Sequence, residues 1–425
     1  MKKNIVIVGG GASGLMAAAN LSEKINKNPD LDAKVIVVER MNKLGMKLLA
    51  TGGGRCNVTN VLDERQFMQY FGKYGRFMND ALKVMSNNSL INWFAENNVP
   101  LECEDNFHYF PKSKKSSDIV KTLINKCQKN GVEFITDCKI VDCVAENDSF
   151  ILTTADENKI MADFVVFSCG GVSYSKLGGN RSGYKILKKM NHNIIEPLPG
   201  MVGLKVKENW IKESTGIAFE NCELNINLKK FRRQISKGEL LFTHEGLSAN
   251  AAINISADVA ELLSDAESVP LTMKLFANKD QVEIIAHWQK LLRENSTKNI
   301  VSILAFFVPK NVAINYLKEL FGDSVLEVKA AQLPKKVNLA IQRLLTECPV
   351  EVIGTAGFEK AMVTRGGVDL KNINPKTMES KIIEGIYFAG EFINLDGPCG
   401  GFNLQWAFSS GYLVGESIFH KICEE

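Results

Sequence analysis

The opening of the chain restricts its fold more than any other segment. Ile5-Val6-Ile7-Val8 is a short apolar run, and Gly9-Gly10-Gly11-Ala12-Ser13-Gly14 follows it without a spacer. Consecutive apolar residues ending in glycine read as a strand buried on both faces, the kind a parallel sheet uses. From Gly14 to about Lys24, small residues such as Ala17, Ala18 and Ala19 allow a helix to lie close on that sheet. Lys34–Val38 is a second buried run and ends at Glu39-Arg40. Strand, glycine turn, helix, strand and acid form a dinucleotide-binding βαβ unit. Gly9 makes the tight turn, Gly11 lets backbone approach a pyrophosphate, and Gly14 permits close helix packing. The start of the helix offers unpaired N–H groups and a positive dipole end to the phosphates. Glu39 is placed to accept hydrogen bonds from a ribose. A nicotinamide dinucleotide and FAD both satisfy this unit.

Two further glycine-rich segments separate those cofactors. Gly45–Asn60 reads GMKLLATGGGRCNVTN, with Gly52-Gly53-Gly54 beside Thr51, Arg55 and Asn57. Such a loop suits close passage over a cofactor, with donors for pyrophosphate or ring. Near the end of the chain, Tyr387-Phe388-Ala389-Gly390-Glu391 reads as a strand closing on an acid. Asp396-Gly397-Pro398-Cys399-Gly400-Gly401-Phe402-Asn403 then leads into a helix rich in small residues. An acid after Ala-Gly can bind the hydroxyls of a ribityl chain, and the helix start can aim its dipole at the N1/C2=O edge of an isoalloxazine. An NAD-binding domain has no use for this element, whereas FAD spans from the first turn to the far side of its domain. Gly170-Gly171, after the apolar run Phe164–Phe167, returns the chain to the same cofactor. A second G-x-G-x-x-G is missing from the sequence, so NAD(P)H would visit transiently as reductant, or oxygen would reoxidise the flavin.

Between these ends the texture changes. Ser116–Asn130 carries a helical apolar stripe and feeds strands near Val132–Ile135, Lys139–Val144, Phe150–Thr154 and Phe164–Phe167. From Asn193, alternation at Val202, Leu204 and Val206, and at Cys222, Leu224, Ile226 and Leu228, predicts half-buried strands. Lys279–Phe321 is helical in pattern, with Ile284, Ile285, Trp288, Leu291 and Leu292 on one face. The fold class expected is α/β: a Rossmann-like domain from residues 1–192 and 347–425, split by a β-rich domain (193–278 and 325–346) that holds a helical subdomain (279–324). A chain of 425 residues accommodates two or three domains.

The motif set resembles the two-dinucleotide-fold flavoproteins, and more narrowly the bacterial YhiN/BaiN-type flavoproteins, whose family includes aminoacetone oxidase. The stretches that carry the resemblance are LLATGGGRCNVTN (48–60), GELLFTHEGLS (238–248), VTRGGVDL (363–370) and GEFINLDGPCGGFNLQWAFSS (390–410), and it covers essentially the whole chain. It implies non-covalent FAD in a domain split by a β-barrel-like domain with a small helical domain inside. It also implies pyrophosphate on Ala12 and Ser13, ribose on Glu39, and a backbone contact from Val141 to adenine. Lys47, Arg55 and Asn57 would fall around pyrophosphate and flavin, Gly390 and Glu391 at the ribityl chain, Phe402 and Asn403 at the ring. Two departures stand out: Met46 occupies a position where a basic residue is common, and Ala249-Asn250 stands where Gly-Pro is usual.

The implied activity is hydride transfer between flavin N5 and a small organic substrate, as amine oxidation or reduction of a conjugated C=C bond. An NAD-dependent dehydrogenase, a flavin-bound sensor and an RNA-modifying flavoprotein are the competing readings. With 51 Lys+Arg against 48 Asp+Glu, the net charge of +3 gives a nucleic-acid partner little support, although a local patch can hide in a neutral sum. Without a long apolar segment no membrane partner is expected. Ten scattered cysteines without a CxxC pair point to a reducing, cytoplasmic setting. Cys56 lacks a partner five residues on, where Val61 stands, which argues against dithiol chemistry, and Cys138 and Cys143 read as structural. Metal-ligand spacing is absent from the five histidines, and no catalytic base is assigned; His108, Tyr109 and His244 are the pocket candidates. Trp406 and Phe402 read as core aromatics or as rings near the flavin. The sequence leaves substrate and oligomeric state open.

Overall fold

The computed structural model describes residues 2–231 and 234–424. It divides into two compact units, Met1–Pro197 with Val363–Glu425, and Leu198–Met362. The first is built on a five-stranded parallel sheet in the order Ile386–Phe388, Phe164–Phe167, Lys3–Val8, Ala33–Val38 and Glu133–Ile135. Ile5, Val6 and Ile7 are fully buried, as both-face coverage demands of a central parallel strand. In the register, Val8 lies beside Phe167 and Val38, Phe167 beside Phe388, and Val38 beside Ile135. The carboxyl ends of all five strands therefore meet along one edge, where open α/β sheets bind ligands.

Helix Ala12–Asn26 packs against the sheet and against the last helix, Phe402–Glu424. The approach is backbone-close: a Cβ on Gly411 would collide with the Ser13 carbonyl, and Asn20 Nδ2 donates to the Tyr412 carbonyl at 2.9 Å. Small residues in both helices thus join the two ends of the chain. Two small antiparallel sheets complete this unit, Ile140–Glu146/Ser149–Thr154/Lys159–Ala162 and Thr59–Asn60/His108–Pro111/Leu101–Glu104.

The second unit is a closed six-stranded antiparallel barrel. Cys222, Leu224 and Ile226 point inward along Ala218–Ile226 as their alternation predicts, while Leu228 lies past the strand and is exposed. The expected boundary at 347 is corrected. Cys348–Thr355 is a barrel strand, and its buried Cys348, Val350 and Val352 show the period of two that a half-covered strand requires. The helices expected over 279–324 are present and pack onto the barrel. Trp288, Ile303 and Leu317 share one apolar cluster with Leu224, Met273 and Val350, so the helices complete the barrel core. Among the described residues, no helix is long and apolar enough to cross a membrane.

Candidate cofactor site

Strand Lys3–Val8 hands over to helix Ala12–Asn26 through the first glycine turn, and the glycines there do different work. Gly9 has φ +111°, and a Cβ on it would strike the Ser168 carbonyl. A Cβ on Gly14 would strike the Gly9 carbonyl and come within 2.5 Å of Ser168 Oγ. Gly11 has no atom within 4 Å of where its Cβ would stand, and it caps the helix without any side-chain bond to the first turn. The turn is packed on either side of an open face with free N–H groups. That cradle fits a pyrophosphate, and the donor set fits an anion at a helix N-terminus.

Glu39 ends its strand beside this turn. Its Oε2 accepts from Gly10 N–H at 2.8 Å and its Oε1 from Met41 N–H at 2.9 Å. Two backbone donors fix the carboxylate and leave a lone pair on each oxygen for ribose hydroxyls. Arg40 turns the other way, donating to the Ser175 carbonyl at 3.3 Å, and its buried Nε has no partner among the described residues. Asp137 and Cys138 donate backbone N–H groups to Met41 and Glu39, which brings the strand carrying the half-exposed Val141 past Glu39.

Lys47 and Glu391 meet although 344 positions separate them. Lys47 Nζ donates to Glu391 Oε2 at 2.6 Å and to Ser173 Oγ at 2.8 Å. Glu391 also accepts from the N–H groups of Thr364 (2.8 Å) and Gly171 (3.3 Å). Thr364 Oγ1 in turn accepts from Val172 N–H at 2.8 Å and Ser173 N–H at 3.1 Å. Gly171 is needed at this junction because a Cβ would overlap the Thr364 side chain, while Gly170 turns the chain with φ +68°. Gly390 has φ +71°, and a Cβ on it would lie 2.5 Å from Ser13 Oγ. The C-terminal acid is thereby set against the first glycine turn. Ser173 and Thr364 went unassigned in the sequence; Thr364 lies inside VTRGGVDL, the signal that could have found it.

The loop Thr51–Gly54 turns through left-handed φ at Gly52, Gly53 and Gly54, and no atom crowds Gly53 or Gly54. Thr51 Oγ1 donates to the Leu48 carbonyl at 2.6 Å, which ties the loop to its own helix. Asn57, its amide oriented by its neighbours, donates to the carbonyls of Thr59 (2.9 Å) and Tyr109 (3.2 Å) and accepts from Gly401 N–H (3.0 Å). Asn60 Nδ2 donates to the Gly400 carbonyl at 2.8 Å. The two glycine-rich segments are therefore stitched together just before helix Phe402–Glu424. Asn403 clamps the same loop, accepting from Gly397 N–H and donating to its carbonyl, both at 2.8 Å. Arg55 pairs with Glu104 and lies 4.4 Å over the Phe110 ring.

Phe402 is buried among Phe67, Tyr70, Phe71 and Phe107, so its side chain is core and its backbone is what it offers at the helix start. Trp406 is buried too, its Nε1 donating to the Gly390 carbonyl at 3.2 Å. His108 Nδ1 lies 2.8 Å from Asp105 Oδ2. His244 is exposed in a barrel turn, and His192 is buried on Ser380 Oγ at 2.8 Å. Burial pushes the thiols of Cys56 and Cys169 up to about 12, Cys169 with help from Glu39, and all ten cysteines are free. Neither thiol is available as a thiolate nucleophile near neutral pH.

A parallel sheet, an open glycine cradle at its carboxyl edge and a second helix start stitched to a glycine loop define an FAD-binding Rossmann oxidoreductase. A family model described as the HI0933-like protein Rossmann domain matches residues 3–417, and the chain belongs to that family. It is 28% identical to a 3-dehydro-bile acid delta(4,6)-reductase of Clostridium scindens, over 98% of this chain and 99% of the relative. It is 27% identical to a ribosomal RNA dihydrouridine synthase of Escherichia coli, over 97% of each chain. Among solved structures, a 3-ketosteroid delta1-dehydrogenase from Sterolibacterium denitrificans shares the fold, with TM-score 0.52 at 11% identity, over 99% of this chain and 100% of that one.

Proposed function

We propose that this chain is an FAD-dependent reductase of a carbon–carbon double bond conjugated to a carbonyl. The observation that carries the cofactor is the open face of Gly11 between the packed Gly9 and Gly14. The chemistry is supported by what the relatives' names share. A delta(4,6)-reductase of a 3-dehydro steroid and a dihydrouridine synthase both saturate a ring double bond conjugated to a carbonyl. Bound FAD would supply two-electron storage and hydride transfer, which side chains alone lack. The helix start at Gly11 and Ser13 would hold the pyrophosphate and Glu39 the ribose. Lys47, Glu391, Gly170 and Gly171 would surround the ribityl region, and the Gly53–Gly54 and Gly400–Gly401 loops would bound the ring. Free cysteines throughout fit a reducing cytoplasm, with NAD(P)H as transient reductant.

The test is anaerobic. The purified protein is expected to be yellow, with a flavin band at about 450 nm. After chemical reduction it is mixed with steroid enones, small cyclic enones and uridine-containing RNA, and return of the band is followed. Reoxidation by an enone or by uridine supports the reading. A colourless protein that takes up no FAD removes the cofactor. A loaded protein that releases peroxide from amines and ignores every conjugated acceptor replaces reduction with amine oxidation.

A further inference from the structure

Saturating a conjugated double bond needs a proton as well as a hydride, and the cofactor-site residues so far assigned bind rather than donate. We propose that His108 delivers that proton from Nε2, with Asp105 as the residue that positions it; this rests on the reductase reading. His108 opens the strand His108–Pro111, which pairs with Thr59–Asn60, Asn60 standing opposite His108. Asn60 holds the Gly400 carbonyl, and His108 Nε2 lies 3.5 Å from where a Cβ on Gly400 would stand. The imidazole thus borders the glycine loop that begins helix Phe402–Glu424, with Phe107 edge-on beside it at 4.9 Å. The ring is partly open, its side chain 30% exposed, so it can exchange protons with water.

Asp105 sets the tautomer. Its oxygens lie 2.8 and 3.0 Å from His108 Nδ1, and Oδ1 also accepts His108 N–H at 3.1 Å. The hydrogen bond from the His108 ring, and then that from its backbone, hold the Asp105 carboxyl below its ordinary range. An ionised carboxylate only accepts, so Nδ1 carries hydrogen and Nε2 is left as the group that gains or gives a proton. The strand partner Glu104 is the other acid facing this pair, and it is engaged by Arg55 and by Lys114 at 3.3 Å. Thr59, Asn60 and Gly400 bring no charge. The step balances. Bound reduced flavin would supply the hydride that forms the bond at the carbon β to the carbonyl, while the π pair takes the His108 proton at the α carbon. The substrate would gain two electrons, which a reduced nicotinamide dinucleotide would restore to the flavin. Imidazole regains its proton from solvent.

The experiment compares FAD-loaded wild type, His108→Gln and Asp105→Asn. First, oxidised flavin absorbance is titrated with pH. Wild type should show one spectral step, absent in His108→Gln and displaced in Asp105→Asn. Second, reoxidation of the reduced protein by an enone should slow about 100-fold or more in His108→Gln, the usual scale for a lost general acid. A His108→Gln protein that keeps the spectral step, or reoxidises at the wild-type rate, overturns the proposal. Should His108→Gln fail to retain FAD, Asp105→Asn decides: an unchanged step overturns the proposal and a displaced one supports it. If wild type is reoxidised by no enone, the reductase reading fails separately, and the spectral step still reports whether His108 borders the flavin.

Discussion

The turn at Gly9 and the turn at Ala249 ask for left-handed backbone and answer with different residues. Gly9, in the cofactor unit, has φ +111° and is also pinned by the Ser168 carbonyl, which leaves no room for a side chain. Ala249, in the barrel unit, has φ +66° and ψ −177°, a region that glycine alone occupies without strain. In the first turn, conformation and close packing both require glycine. In the second, conformation asks for it and the chain does without, placing Ala249 there. Backbone geometry is therefore a strict constraint where a ligand must approach and a negotiable one in the barrel.

The sharpest way to test this is inside the first turn, by separating packing from approach. Gly14→Ala pushes a methyl into the Gly9 carbonyl and Ser168 Oγ, so it should cost about 3 kcal/mol or more. Thermal unfolding should show a fall of several degrees, with FAD lost as a consequence. Gly11→Ala meets no protein atom and should leave the stability of FAD-free protein within about 0.5 kcal/mol. Its FAD dissociation constant should rise about 100-fold, because the methyl fills the cradle. Equal destabilisation by both, or unchanged FAD affinity in Gly11→Ala, would break the distinction between packing and approach.

The same distinction explains what could be read from sequence. The parallel sheet was legible because both-face burial writes unbroken apolar runs at Ile5–Val8 and Phe164–Phe167, and the glycine turns because close approach excludes other residues. Cys348–Thr355 was assigned to the wrong unit because a half-buried strand leaves only a weak alternation, and chain order placed it near the C-terminal motifs. The partners of Glu391 and Lys47 were harder to read for another reason, although the motif VTRGGVDL pointed to Thr364. Ser173 and Thr364 are ordinary residue types, and only tertiary contact gives them a role. For Phe402 the sequence left core and ring contact both open, and its aromatic neighbours place the side chain in the core.

Ala249→Gly asks the converse question in the barrel. Relieving the strained φ/ψ should raise stability by about 1 kcal/mol, since the native strain removed slightly exceeds the entropy that glycine adds to the unfolded chain. Denaturant midpoints read it directly. A destabilised Ala249→Gly would mean the methyl packs well enough to repay its conformation, and the contrast with Gly9 would weaken.

The smallest effect concerns the neighbouring turn of the barrel, which is held by side chains rather than by glycine alone. Glu245 bonds Lys360 at 2.8 Å and Lys205 at 2.9 Å, and these two ammonium groups, Lys360 first, bring its carboxyl down to about 2. A carboxyl lowered in the folded state stabilises above its unfolded pKa, near 4.5, and that contribution disappears as pH falls from there toward 2. Lys360 and Lys205 are 58% and 43% exposed, so solvent screens the pairs and the contribution is about 0.5 kcal/mol. Glu245→Gln should therefore lower stability slightly at pH 7, match wild type near pH 2, and lose its effect in high salt. A larger, salt-insensitive loss at Glu245→Gln would mean that the barrel turn depends on this ion pair as strictly as the cofactor turn depends on its glycines.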